Sequence, residues 1–325
     1  MNTQSTPTGN SLICLNGYIL CQQEDVMTQT VLILGASGRF GRNAALAFRN
    51  AGWPVRKFDR KTDVLEAAAT GADVIVNAWN PLYPDWALLV PKLHQQVIDV
   101  ASKTGATVIV PGNVYVFGAN TPCPWSGDTP HLATNPLGRI RIEMEEAYRS
   151  SSVRTIILRA GDFIDTSASA NWFDRVMIKH LSRGRLVYPG NPEIPHAWAY
   201  LPDLARTAVA LAEMRDSLPR FCDVPFTGHT LTGAELAQAL SRVTAQTVTI
   251  KQMSWWPLHL ARPFWRLAPH LLEMRYLWDV PHRLDGSLMA ELLGEVQHTG
   301  LDDVLRSAIP ETLAEPSRAA KAVAV

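Results

Sequence analysis

The stretch VLILGASGRFGRNAALAF, residues 31–48, decides the fold. Four apolar residues, Val31–Leu34, make a buried strand, Gly35, Gly38 and Gly41 fall three apart, and an Ala-rich helix follows at once. A dinucleotide pyrophosphate requires a tight turn, a backbone near enough for its N–H groups to meet phosphate, and a helix packed closely on its strand. Glycine suits all three positions. Ser37, Arg39 and Phe40 lie in the same loop and join the expected cofactor contacts. Asp59 ends the next strand about 20 residues on, where a carboxylate reaches ribose hydroxyls.

Working outward, Val31–Leu34, Val55–Phe58, Asp73–Asn77, Thr107–Val110 and Thr155–Leu158 are short apolar or β-branched runs, each separated by enough chain for a crossover helix. This order predicts an α/β fold, a Rossmann-type doubly wound parallel sheet. After about residue 160 the rhythm breaks into Trp- and Pro-rich sequence, read as a smaller irregular C-terminal cap on the substrate side. FCDVPFTGHT is a later strand candidate, and Thr232 with Glu235 forms a capping-box pattern opening a helix near Gly233. The expected divisions are an N-terminal extension over 1–26, a dinucleotide-binding core over 27–160, a mixed substrate-binding region over 161–310 including later Rossmann elements, and a flexible tail over 311–325.

Composition narrows the function classes. The chain has 325 residues, 47% of them hydrophobic, enough for a large core. Its 30 basic and 30 acidic residues cancel without a dense Lys/Arg cluster, which argues against nucleic acid. Cys14, Cys21, Cys123 and Cys222 show no metal-ligand spacing, so no metal is expected and free thiols in the cytoplasm are the default. SLICLNGYIL, residues 11–20, lacks a basic leader and is too short to span a bilayer, so no membrane partner is expected.

The GxxGxxG spacing resembles that of the short-chain dehydrogenase/reductase superfamily, in particular its extended and atypical epimerase-like members. ADVIVNAWNPLYPDW resembles the family's third strand and the loop beneath the cofactor, which adds Asn77 to the cofactor set. VIVPGNVYVFG is similar to its fourth strand, ILRAGDFI to the turn toward substrate, HAWAYLPDLARTAVAL to a later helix start and LDGSLMAELLGEVQHTGLDDVLRSAI to its C-terminal end. The likeness runs from about residue 30 to 310.

In that family a Tyr, a Lys four residues later on one helix face and a Ser or Thr on the fourth strand carry the chemistry. Alignment on Gly118 places Leu137 at the Tyr, Arg141 at the Lys and Asn113 at the Ser. Leucine transfers no proton. Arg141 is either a binding group for the cofactor ribose, since a guanidinium is a poor acid or base near neutrality, or a surface arginine beside Glu145; Asn113 is either a carbonyl-orienting group or a turn residue.

A substitute acid is sought nearby. Tyr115, two residues from Asn113 on the presumed strand, is the first candidate. Tyr83, Asp162, His196 and Tyr200 are further substrate-side candidates, each with a packing or turn role as its alternative. Trp255, Trp256, Trp265 and Trp278 suit either a planar ligand or an irregular core. Two functions follow from the resemblance: an NAD(P)-dependent oxidoreductase or epimerase of a small organic substrate with a relocated proton donor, or a non-catalytic NAD(P)-binding sensor like the NmrA-like members. Asp59 favours NAD, whereas Arg39 and Arg60 could clamp a 2′-phosphate and tilt the balance toward NADP. Oligomeric state stays open.

Overall fold

The computed structural model describes residues 29–314. Six parallel strands form its centre: β1 (Val31–Leu34), β2 (Val55–Phe58), β3 (Val74–Asn77), β4 (Thr107–Gly112), β5 (Thr155–Arg159) and β9 (Phe221–Pro225), in the order β2-β1-β3-β4-β5-β9. Their inner members are apolar on both faces because helices cover both sides. Along β1, Leu32 and Leu34 enter one core layer and Val31 and Ile33 the other, the period of two that a strand imposes.

Helices α1 (Arg39–Asn50), α5 (Leu201–Glu213) and α9 (Ser287–Leu293) contribute to one layer; α2 (Leu65–Ala69), α3 (Trp86–Thr104) and α4 (Pro136–Ser150) contribute to the other. Sheet order reverses at β1, whose neighbours are β2 and β3. Such a switch point opens a crevice at the carboxyl ends of the strands.

The chain beyond residue 160 alternates between this sheet and a cap. Strands β6 (Asp162–Ile164), β8 (His196–Tyr200) and β10 (His229–Leu231) form one small sheet, and β7 (Arg185–Tyr188) pairs with β11 (Thr249–Gln252). A third apolar cluster joins them to α6 (Gly233–Thr244) and α10 (Leu301–Ala308). Both capping-box bonds of Thr232 and Glu235 are made at the start of α6. Short helices α7 (Trp256–Ala261) and α8 (Ala268–Glu273) lie on the cap.

The expected tail requires correction at its start: Glu311–Leu313 form a 3-10 turn, and Leu313 and Ala314 pack against the cap core. Apolar contact holds these residues despite the Ala-rich sequence beyond them. The expected extension, SLICLNGYIL, Cys14, Cys21 and the rest of the tail lie outside the described residues. Cys123 is exposed and Cys222 buried, and both are free thiols.

Candidate active site

The glycine loop closes on itself as its spacing demands. Gly35 has φ +75°, and a Cβ there would lie 2.9 Å from the Ala78 carbonyl oxygen. A Cβ on Gly41 would lie 2.2 Å from the Gly35 oxygen, so α1 can approach β1 this closely only without a side chain. The Gly38 N–H donates to the Gly35 oxygen at 2.9 Å, and Gly38 opens α1 with no side-chain cap and no acid in the first turn. That helix end presents N–H groups and positive dipole to an anion, and the glycines leave room for it. The residues fit a dinucleotide pyrophosphate.

A cleft of about 560 Å³ continues from this loop, lined by Gly35, Ser37, Lys57, Asp59, Arg60 and Trp79 among others. The carboxylate of Asp59 accepts from the Lys61 N–H at 2.9 Å, a local turn that occupies one oxygen. Arg60 stands 5.7 Å from the Trp79 ring. Arg39 does not join it in the expected clamp: its guanidinium donates to the carbonyls of Ser169 and Ala170, each at 2.6 Å. Lys57 and Lys61 supply the further positive charge at this end.

Two other residues of the expected cofactor set turn their side chains inward. Phe40 is buried in the layer between α1 and the sheet. Asn77 is also buried; its Nδ2 donates to Tyr148 Oη at 3.1 Å and lies 3.2 Å from His94 Nδ1. The alternation of β3 turns this side chain into the layer of α3 and α4, and burial holds His94 neutral with its pKa lowered to about 3.

Beyond the glycine loop, Tyr83 Oη and Tyr115 Oη meet at 2.5 Å. Tyr83 comes from the turn after β3, and Tyr115 from a 3-10 turn, Val114–Val116. The expectation of Asn113 and Tyr115 alternating on one strand is therefore corrected. Strand β4 stops at Gly112, and Asn113 Oδ1 caps the turn by accepting the Tyr115 N–H at 3.1 Å. A cap suits asparagine's short side chain.

Trp86 packs edge-on to Tyr83, with ring centres 5.0 Å apart, and carries Arg141 over its face at 4.9 Å. Arg141 is buried; its Nε has no hydrogen-bond partner among the described residues. Its charge lowers both tyrosine pKa values, but burial, the largest influence, raises them. Either phenol can donate in the short bond between them, so the two hydroxyls share their proton as a pair.

Helix α4 reaches this turn through Gly138, where a Cβ would lie 2.7 Å from the Tyr115 carbonyl oxygen. Leu137 is buried in the adjoining core, and Glu273 accepts from its N–H at 2.7 Å, capping the helix from α8. The helix thus supplies packing and Arg141, while neighbouring turns supply the hydroxyls.

Asp162 and His196 form a second pair, His196 Nε2 lying 2.8 Å from Asp162 Oδ2. The imidazole stacks on Trp278 with centroids 4.3 Å apart and meets His282 at 4.4 Å. The charge of Asp162 raises the pKa values of Tyr83, Tyr115 and Tyr188, which places the carboxylate in the same electrostatic neighbourhood. Tyr200 is not part of it: although it lies on the same strand as His196, its hydroxyl pairs with Ser307 Oγ at 2.9 Å. Trp255 and Trp278 are buried, whereas Trp256 and Trp265 face solvent.

Sequence reasoning missed the support behind the site. Fully buried Arg159 forms ion pairs with Glu145 and Asp223 and donates to the Asn113 carbonyl at 2.5 Å, holding the turn that carries Tyr115. A charge ending an otherwise apolar strand in ILRAG, matched by one inside FCDVP, was the available signal. His131, Glu145 and Asp223 also gather as possible metal ligands, but the guanidinium of Arg159 already supplies their positive charge.

No protein-family model and no curated protein matches the chain. Solved structures do. UDP-glucose 4-epimerase from Brucella ovis, in complex with NAD, is 19% identical with a TM-score of 0.67, covering 88% of this chain and 99% of that one. The apo GalE-like L-threonine dehydrogenase from Cupriavidus necator is 20% identical with a TM-score of 0.67, covering 86% and 98%. A putative epimerase from Burkholderia cenocepacia is 15% identical at the same TM-score, covering 86% and 97%. This chain accordingly shares its fold with these epimerases and this dehydrogenase.

Proposed function

We propose that the protein is an NAD(P)-dependent oxidoreductase or epimerase acting on a small organic substrate, with the Tyr83–Tyr115 pair replacing the family's usual helix-borne acid. The observation that carries this reading is the 2.5 Å contact between the two phenols beside buried Arg141. The NAD in the Brucella ovis epimerase and the UDP-glucose in another neighbour, MoeE5, make a nicotinamide dinucleotide and a sugar nucleotide the first ligands to test.

The loop Gly35–Gly41 would hold the pyrophosphate, and the Lys57–Lys61 segment the adenosine ribose. Bound nicotinamide supplies a two-electron hydride exchange. Tyr83 gives or takes the substrate hydroxyl proton, and Tyr115 holds Tyr83 in place through the hydrogen bond between them. Arg141 favours the phenolate form by its fixed positive charge. The Asp162–His196 pair orients the substrate from the cap side.

For the cofactor we infer NADP: Lys57, Arg60 and Lys61 surround a carboxylate already engaged by the Lys61 N–H. The second reading, a dinucleotide-binding sensor without turnover, draws on the burial that keeps both phenols protonated.

The test is calorimetry with NAD and NADP, followed by rapid mixing of the loaded protein with sugar nucleotides and simple alcohols while nicotinamide absorbance is followed. Hydride exchange in wild type that is lost in Tyr83→Phe supports catalysis. Dinucleotide binding without exchange across the panel favours the sensor. Failure to bind either dinucleotide overturns both.

A further inference from the structure

Exposed large apolar residues gather on the cap segment that follows Trp255. Trp256, Leu260 and Phe264 follow at four-residue spacing and are 65%, 58% and 91% exposed. Backbone bonds from the N–H groups of Phe264 and Trp265 to the Ala261 carbonyl continue the turn past α7. Arg266 pairs with Asp85 at 3.0 Å, bringing this segment against the Tyr83 turn, where Leu82 and Leu88 are 71% and 76% exposed. Large apolar residues gathered at one place mark an interaction surface, whereas scattered ones do not.

The platform beneath it is anchored. Buried Trp255 donates from Nε1 to the Pro189 carbonyl at 2.7 Å, and Leu258 packs on the cap core. The outward direction of Trp256 and Phe264 is therefore set by the fold.

Charge identifies the occupant. From Lys251 to Leu272 there is no Asp or Glu; Lys251 and Arg262 are exposed and form no ion pair among the described residues, while the charge of Arg266 is met by Asp85. The next acid, Glu273, turns inward to cap α4. Trp, Phe and Leu projecting between basic side chains suit the boundary of an anionic bilayer, where aromatics enter the headgroup layer and cations meet lipid phosphate.

We propose that residues 251–266, with Leu82 and Leu88, dock this protein on an anionic lipid surface. The protein lies on the membrane without crossing it, and no helix among the described residues is long and apolar enough to cross one. This proposal stands on the surface alone and does not depend on the reaction proposed above.

The experiment is flotation of the full chain with vesicles of phosphatidylcholine, alone or with about 30% phosphatidylglycerol, at low and high salt, while tryptophan emission is recorded. The anionic vesicles should bind at least tenfold more protein, roughly the effect of two basic residues near the surface. High salt should weaken this binding, and emission should shift to the blue. Phe264→Ser with Trp256→Ser should reduce binding about tenfold at unchanged Tm, and Lys251→Gln with Arg262→Gln by a similar factor. Equal partition onto both vesicles, or binding indifferent to the Phe264 and Trp256 substitutions, overturns the proposal. So does a sedimentation-detected dimer that dissociates in the Phe264→Ser protein without any vesicle binding, since the face would then belong to a second copy.

Discussion

At Gly38 and Gly41 similar substitutions have different consequences. A Cβ at Gly38 meets the Gly35 oxygen at 3.1 Å, so Gly38→Val fits by a small local adjustment but fills the backbone approach that phosphate needs. Calorimetry should find NAD and NADP affinity reduced at least tenfold, with Tm shifted little; unchanged affinity would remove the loop from the cofactor site. Gly41→Val meets the same oxygen at 2.2 Å and should destabilise the fold itself. For the phenols, Tyr83→Phe and Tyr115→Phe should each lower kcat by about 10²–10⁴ if they transfer the proton. Leu137→Ala should instead cost about 2–5 kcal/mol of stability in denaturant melts, because it empties a buried position. Equal kcat losses in Tyr83→Phe and Leu137→Ala would argue against a proton role.

Among elements, β5 is joined to α4, β9 and the Tyr115 turn by Arg159. Arg159→Met leaves Glu145 and Asp223 buried without their cation, a change that costs about 3–5 kcal/mol when a partner of a buried ion pair is removed. Adding Glu145→Gln and Asp223→Asn should recover much of that loss, as chemical denaturation would show. If catalysis depends on the turn's position, the triple variant should regain stability while kcat stays low, because the bond to the Asn113 carbonyl is still absent. The charges of this cluster come from segments 14 to 78 residues apart (145 to 159, 145 to 223), so the charges inside ILRAG and FCDVP signal a buried ion pair without telling which groups meet.

For the whole molecule, acidification is the informative perturbation. Burial holds His94 and His282 neutral, lowering each to about 3, and lowers His131 to about 4 with help from Arg159. The unfolded chain takes up these protons below about pH 6.5, whereas the fold refuses them until near pH 3–4. Their stabilising contribution is full above pH 6.5 and declines on acidification, at about 1.4 kcal/mol per pH unit for each buried imidazole. Asp223, raised by burial to about 6, acts in the opposite direction, since the fold binds its proton before the unfolded chain does. Three histidines against one carboxylate predict a lower Tm at pH 5 than at pH 7. His282→Phe preserves a ring stacked on Trp125 and should show a smaller drop; a Tm independent of pH over this interval would refute the assignment.

The strand–glycine loop–helix unit was legible from residues 31–59 alone because its determinants are local: a strand, three glycines and a helix are adjacent in sequence, and each glycine answers a nearby steric demand. The parallel sheet was equally legible, since buried strands must be apolar and crossovers need length. Sequence alone also singled out Tyr83, Tyr115, Asp162, His196 and Arg141 as separate candidates. Tertiary structure decided which of them meet. It joined Tyr83 to Tyr115, paired Asp162 with His196, and diverted Asn77, Asn113 and Tyr200 into internal hydrogen bonds. It also drew Arg39 away from Arg60 to the carbonyls of Ser169 and Ala170. The physical reason is that a polar side chain's role depends on the partner that satisfies it after burial, and here those partners come from distant parts of the chain.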